Sequence, residues 1–277
     1  MVTTMKWISF LSLLLFCSAV FADGKLLATP GVSQVEGSAG GGLVPWAQLA
    51  GYASENEWSI SSFCSRGSVK NYRLDVCALQ GNLFDRVELS YAQQTFDVPA
   101  LSTRIKQTVS GVKVRLYGDI VYSKWPQLSV GVQHKSLKDG KVAKLLGAHS
   151  TRGDDIYLAA SKLHLGAING YNWFWSITTR YSEANQIGLL GFGGKQADKA
   201  WLLEASSAVF LSREVAIGVE FREKPNNLKL GETHWKDVFI AWFPNKSFNI
   251  TAAWLDLGSI AGVDAQMGWY LSITGYF

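Results

Sequence analysis

The chain has 277 residues, with 26 basic and 22 acidic side chains and a formal net charge of +4, too near balance to suggest a nucleic-acid-binding surface. After Phe21 no segment offers 18 consecutive apolar residues, which excludes a helical membrane protein. The aromatic content of 13%, with 11 Trp, is high for a soluble domain and suits a structure that needs two interfacial girdles.

At the amino-terminus Lys6 precedes an apolar run, Trp7 to Phe16, that continues to Phe21, and Val20-Phe21-Ala22 supplies the short residues that a signal peptidase needs. Residues 1–22 therefore read as a secretory signal, too short and wrongly flanked for a spanning helix. The bulky Phe16 before Cys17 suits lipoprotein cleavage badly. Residues 23–56 form a Gly-rich segment, with Gly37, Gly40, Gly41 and Gly42 ahead of Pro45, and the glycine run lacks the Lys-Ser/Thr of a phosphate loop. Trp46, Leu49 and Tyr52 are too apolar for an inert tail, and glycines permit close packing against a curved wall. Residues 37–53 are accordingly expected to enter and narrow a lumen; a flexible tether and an extra strand at a sheet edge are the alternatives.

From Glu57 onward, alternation and turn chemistry place strands near 57–66, 71–80, 85–96, 105–117, 126–136, 153–163, 171–182, 199–211, 214–223, 234–243, 246–257 and 265–277. About twelve is an even number, as bacterial barrels require. The clearest alternation sets Val215, Ile217, Val219 and Phe221 against Ala216, Gly218, Glu220 and Arg222. Counted back from a last strand ending in the periplasm, turns 81–84, 212–213 and 244–245 are short, while 137–152, 183–198 and 224–233 are long and polar. That asymmetry belongs to outer-membrane barrels and not to a soluble β-sandwich, although 118–125 and 164–170 are long for periplasmic turns. Trp173, Trp242, Phe248 and Phe277 fall near the periplasmic ends and Trp201, Trp235 and Trp254 near the outer ends, as two girdles would require. A hairpin turning at Lys70-Asn71 sets Cys64 opposite Cys77 and Arg66 opposite Asp75; the two cysteines read as a disulfide, with two buried free thiols as the alternative.

The segment Ala265–Phe277 alternates Met267, Trp269, Leu271 and Ile273 with Gln266, Gly268, Tyr270, Ser272 and Thr274 and ends on an aromatic residue. It resembles the closing strand of Gram-negative outer-membrane barrels, and the resemblance implies that Trp269, Leu271, Ile273 and Phe277 form a signal for the barrel assembly machinery. The stretch from Glu36 to Leu43 with Pro45-Trp46-Ala47, together with Asp85 to Ala92, resembles a family of uncharacterised outer-membrane barrel proteins of Gram-negative bacteria. The resemblance implies an all-β, transmembrane antiparallel barrel over residues 57–277 in the cell outer membrane, and it supplies no active residues.

No pair of the histidines His134, His149, His164 and His234 has metal-ligand spacing with a Cys or carboxylate partner, so neither a metal nor a cofactor is expected. His134 and Ser136 share one strand face, as in outer-membrane phospholipases, but an Asn orienter is missing and only Asp154 or Asp155 offers a substitute; an enzyme is not expected. Lumen-lining positions are expected at Arg73, Asp75, Arg86, Glu88, Lys113, Arg115, Arg180, Glu204, Glu220 and Arg222, forming either a conduction path or a salt-bridged, stiff interior. About twelve strands leave a narrow pore, so the expected function is a channel for small polar or amphipathic solutes. A structural, envelope-organising barrel and a lipid-facing hydrolase are the alternatives. The expected partners are outer-membrane lipid and the assembly machinery, with no nucleic acid.

Overall fold

A computed structural model describes residues 24–194 and 199–277. The signal expected over residues 1–22 lies outside the described residues. Two short strands, β1 (Val32–Ser33) and β2 (Ala39–Gly40), pair with each other inside a larger sheet. That sheet comprises β3 (Trp58–Val69), β4 (Arg73–Leu83), β5 (Val87–Val98), β6 (Thr103–Tyr117), β7 (Gln127–Leu137), β8 (Arg152–Ile168) and β9 (Tyr171–Ser182). It continues through β10 (Ala200–Phe210), β11 (Val215–Arg222), β12 (Trp235–Trp242), β13 (Phe248–Asp256) and β14 (Met267–Tyr276). Each strand pairs antiparallel with the next, and β14 pairs with β3 to close a barrel. Among the described residues no helix is long and apolar enough to cross a membrane.

Closure follows from the alternation of the last strand. Its polar row, Tyr270, Ser272, Thr274 and Tyr276, is buried, while Met267, Trp269, Leu271 and Ile273 are exposed. Phe277 continues the ladder beyond β14, donating its N–H to the Ile60 carbonyl at 2.8 Å and accepting the Ile60 N–H at 3.0 Å. The same rule orders β11, where Ala216, Gly218, Glu220 and Arg222 are buried and Ile217 and Val219 are exposed. An apolar row at a solvent-like surface is the reverse of a soluble sandwich; here water-avoiding side chains face lipid and polar ones face inward.

The turn between β3 and β4 closes with Val69 N–H donating to Tyr72 O, and its register pairs Cys64 with Cys77 and Arg66 with Asp75. Cys64 and Cys77 form a disulfide across the outward row. The long periplasmic turn expected at 164–170 is absent: β8 runs on to Ile168 through a register shift after His164. Residues 118–126 do form a longer periplasmic loop. Trp201 and Trp254 project outward near the extracellular ends and Trp242 near the periplasmic end. Trp235, expected in the outer girdle, is 4% exposed and faces inward, because β12 buries its odd-numbered row.

Candidate functional site

The interior is built from the inward rows of the wall and from the Gly-rich segment. Residues 30–53 are all buried, and their backbone bonds to wall side chains around the barrel. Gln94 donates to Val35 O at 2.7 Å, Gln80 to Gly37 O at 2.8 Å, Thr178 to Pro45 O at 2.7 Å and Ser129 to Ala47 O at 2.6 Å. Glycine is required where this segment meets a carboxylate: a Cβ on Gly41 would overlap the Glu220 Oε1 atom. Gly37 is at φ 102°, where an L side chain is strained, and an added Cβ there would lie 2.9 Å from Ala92 Cβ.

Three charged contacts join the wall to the segment. Glu88 accepts the N–H groups of Ala39 (3.1 Å) and Ala50 (2.8 Å) and pairs with Lys113 at 3.2 Å, which also donates to Ala39 O and Gln48 O. Glu220 accepts the Leu43 N–H at 2.7 Å and the Ser206 hydroxyl at 2.6 Å, and Ser206 in turn accepts the Trp46 indole N–H at 2.8 Å. The third contact reverses the direction, because here the segment supplies the charge. Glu36 meets Arg222 Nη1 at 2.7 Å, Arg180 Nη2 at 3.4 Å and Lys135. Behind it, Arg180 pairs with Glu204 at 2.6 Å and Asp155 at 3.2 Å, Arg222 pairs with Glu204 at 3.3 Å, and Lys135 pairs with Asp155. The cluster thus balances three carboxylates with three cations, all nearly inaccessible. Burial pushes the Glu36 carboxyl up, but Arg180, Arg222 and Lys135 outweigh it and hold the group well below the usual carboxylate range.

Of the expected lumen positions, Glu88, Lys113, Arg180, Glu204, Glu220 and Arg222 are buried in this interior. Arg115 sits at the periplasmic mouth, paired with Asp85 and donating to Gly118 O. Arg73, Asp75 and Arg86 do not line the lumen. Arg73 and Asp75 lie on the outward row of β4, whose buried row is Val76, Ala78, Gln80 and Asn82, and Arg86 is exposed in the turn before β5. Arg86 falls in a periplasmic turn outside either row, and for Arg73 and Asp75 the physical reason is that the rule of apolar outside and polar inside inverts at the extracellular end. There the outer wall has left the hydrocarbon, while the lumen holds an apolar group including Tyr72, Phe96, Trp235, Leu255, Ile260 and Tyr270 around a cavity of about 50 Å³.

That end is roofed by loops. Residues 184–194 are buried, Gln107 donates to Ile187 O at 3.0 Å, and Glu232 joins Lys224 (3.0 Å), the Ala261 N–H (2.9 Å) and Gln186. A larger cavity of about 460 Å³ lies toward the periplasmic end, bounded by Leu27, Trp46, Phe174, Ala208, Phe239 and Phe243. Among the described residues no cluster of three or more His, Cys, Asp or Glu is arranged to hold a metal.

His134 and Ser136 face away from the lumen, on the outward row of β7. His134 Nδ1 is 2.7 Å from Asp154 Oδ1, so Asp154 and not the inward Asp155 is the neighbouring carboxylate. Sequence reasoning missed Glu36 and Lys135, and it named Asp155 only as a candidate partner of His134 and not as an inward residue. The polar row Gln127, Ser129, Gln133, Lys135 on β7 was a usable signal for Lys135. Glu36 lies outside any long strand, so alternation could not mark it, and the resemblance that begins at this residue assigned it no role.

A closed wall of twelve strands, apolar outside and polar within, with its first and last long strands paired, defines an outer-membrane β-barrel. The chain belongs to the protein family of unknown function DUF3034, whose profile matches residues 29–274. No curated protein matches its sequence. The barrel is similar to the KdgM porin, alone and in complex with disordered oligogalacturonate; each comparison has 10% identity and a TM-score of 0.51 and covers 79% of this chain and 99% of that one. LpxR from Salmonella typhimurium aligns at 12% identity and a TM-score of 0.47, covering 79% of this chain and 100% of that one.

Proposed function

We propose that this protein is a plug-closed outer-membrane channel for small solutes that carry a carboxylate or similar anion. The observation that carries the reading is the seat of Glu36: a carboxylate from a segment outside the wall occupies a position where Lys135, Arg180 and Arg222 converge. With the segment withdrawn, those three cations pair with Asp155 and Glu204, so the vacated Glu36 seat carries one net positive charge and attracts an anion. The KdgM porin, which shares the fold, has been captured with oligogalacturonate, a polymer of carboxylated sugars. The apolar chambers at either end suit the uncharged part of an amphipathic solute.

A permanently sealed, structural barrel is the second reading, and it is favoured by the many bonds between residues 31–50 and the wall. Planar-bilayer recording separates the two. The full-length protein is expected to open rarely, and deletion of residues 24–50 to give frequent, anion-selective openings while the barrel still resists detergent unheated. A deletion variant that assembles but stays silent would establish the sealed barrel.

A further inference from the structure

Outside the lumen, one constellation on the lipid-facing wall has no role in holding the plug. On β7, His134 and Ser136 are successive members of the outward row, and on β8 so are Asp154 and Arg152. The register pairs them crosswise, His134 with Asp154 and Ser136 with Arg152. Directly paired residues have Cβ atoms about 4.5–5.5 Å apart, and neighbours along a row stand about 6.7 Å apart, so the four side chains form a compact square. One side of the square is closed by the His134–Asp154 contact of 2.7 Å through Nδ1, which leaves Nε2 directed elsewhere. Both side chains of that contact are more than half exposed, at 55% and 57%, unlike the buried ion pairs of the interior.

We infer that Ser136, His134 and Asp154 form a serine-hydrolase site on the outer wall, acting on the acyl esters of lipids in the outer leaflet. A carboxylate bonded to Nδ1 fixes the imidazole tautomer that presents a basic Nε2, and Ser136 is the next residue of the same outward row, at a spacing of about 6.7 Å that the two side chains can bridge. Depth selects the substrate. One pair nearer the middle of the wall, Val132 and Ile156 are exposed to the hydrocarbon, whereas toward the rim Lys106 and Arg152 are exposed cations. An ester bond at this boundary has its acyl chain beside Val132 and Ile156 and its phosphate beside Lys106.

The reaction balances on these groups and water. Ser136 Oγ attacks the acyl carbonyl carbon as its proton passes to His134 Nε2, and Arg152, paired with Ser136 across the strands, supplies the cation for the developing oxyanion. The acyl carbon–oxygen bond then breaks, and the leaving alcohol takes the proton from His134. Water adds to the acyl carbon, giving a proton to His134; the Ser136 ester bond breaks, and that proton returns to Oγ. The products are a free fatty acid and a lysolipid.

The test uses the full-length folded barrel in mixed micelles of phosphatidylethanolamine bearing a fluorescent acyl chain, together with a fluorophosphonate probe. Wild type is expected to release fatty acid and to carry one phosphonate adduct, mapped to Ser136. S136A and H134A should reduce turnover to the micelle background, and D154N should lower kcat by roughly 10³–10⁴-fold with little change in KM. Heat-modifiability of each variant shows that the barrel is intact. Absence of release by wild type, release that persists in S136A, or an adduct elsewhere than Ser136 would each overturn the inference.

Discussion

Removing the Glu36 carboxylate leaves Lys135, Arg180 and Arg222 buried against two acids instead of three, and breaking a buried pair from one side costs about 3–5 kcal/mol. On the proposed channel reading, Glu36→Gln should therefore raise the open probability of the full-length protein by about two orders of magnitude or more at neutral pH, read in single-channel records; an unchanged gating pattern would remove Glu36 from the gate. Protonation does to wild type what the amide does permanently. The seated carboxyl has a depressed pKa, so its contribution is fully present above the ordinary value of 4.5 and is lost only as pH falls through the lower, seated value. Lowering the pH from 7 to 5 is thus expected to leave the wild-type gate closed, with opening confined to more acidic solution. Glu88 and Glu220 were readable as inward residues because each stands in a clear alternating row, whereas the decisive Glu36 carries no such mark: its role is defined by residues from 99 to 186 positions away.

Strands were the most legible elements, since a period of two survives wherever one face meets lipid and the other meets polar groups. It failed at the outer half of β4, where Leu74 and Val76 belong to the apolar lumen chamber and Arg73 and Asp75 face out, so that hydropathy no longer identifies the face. It failed again at Trp235, whose ring lies inward beneath Arg222 and Lys224, each 5.7 Å from its centroid. The β3–β4 hairpin was legible from its turn and its paired cysteines, and it invites a quantitative check. The Cys64–Cys77 bond spans 13 residues that the hairpin ladder already constrains, so the chain-entropy value of about 3 kcal/mol for a short loop is an upper bound. Cys64→Ser should lower the unfolding midpoint in denaturant by no more than that bound allows while leaving the barrel assembled; failure to assemble would assign the bond a role in folding that the ladder does not predict.

At the scale of the whole molecule, the Gly-rich segment and the wall are joined by contacts between residues 31–33 and the last strand. Ser33 Oγ lies 2.9 Å from Thr274 Oγ1 on β14, and Tyr270 and Tyr276 of the same strand donate to Ser33 O and Gly31 O. Such pairings cannot be read from local pattern, which explains why the barrel was legible and the seat of the plug was not. They also allow the gate to be locked without altering the Glu36 cluster. In a background with Cys64 and Cys77 replaced by Ser, the pair Ser33→Cys and Thr274→Cys places two thiols where the two hydroxyls now touch. Oxidation should tether the plug to the closing strand and suppress the openings produced by Glu36→Gln, and reduction should restore them within the same bilayer experiment. If a channel with the cross-link verified by mass spectrometry opens as often as its reduced form, the segment can stay anchored at Ser33 during conduction, and withdrawal of that end of the plug is not the gating movement.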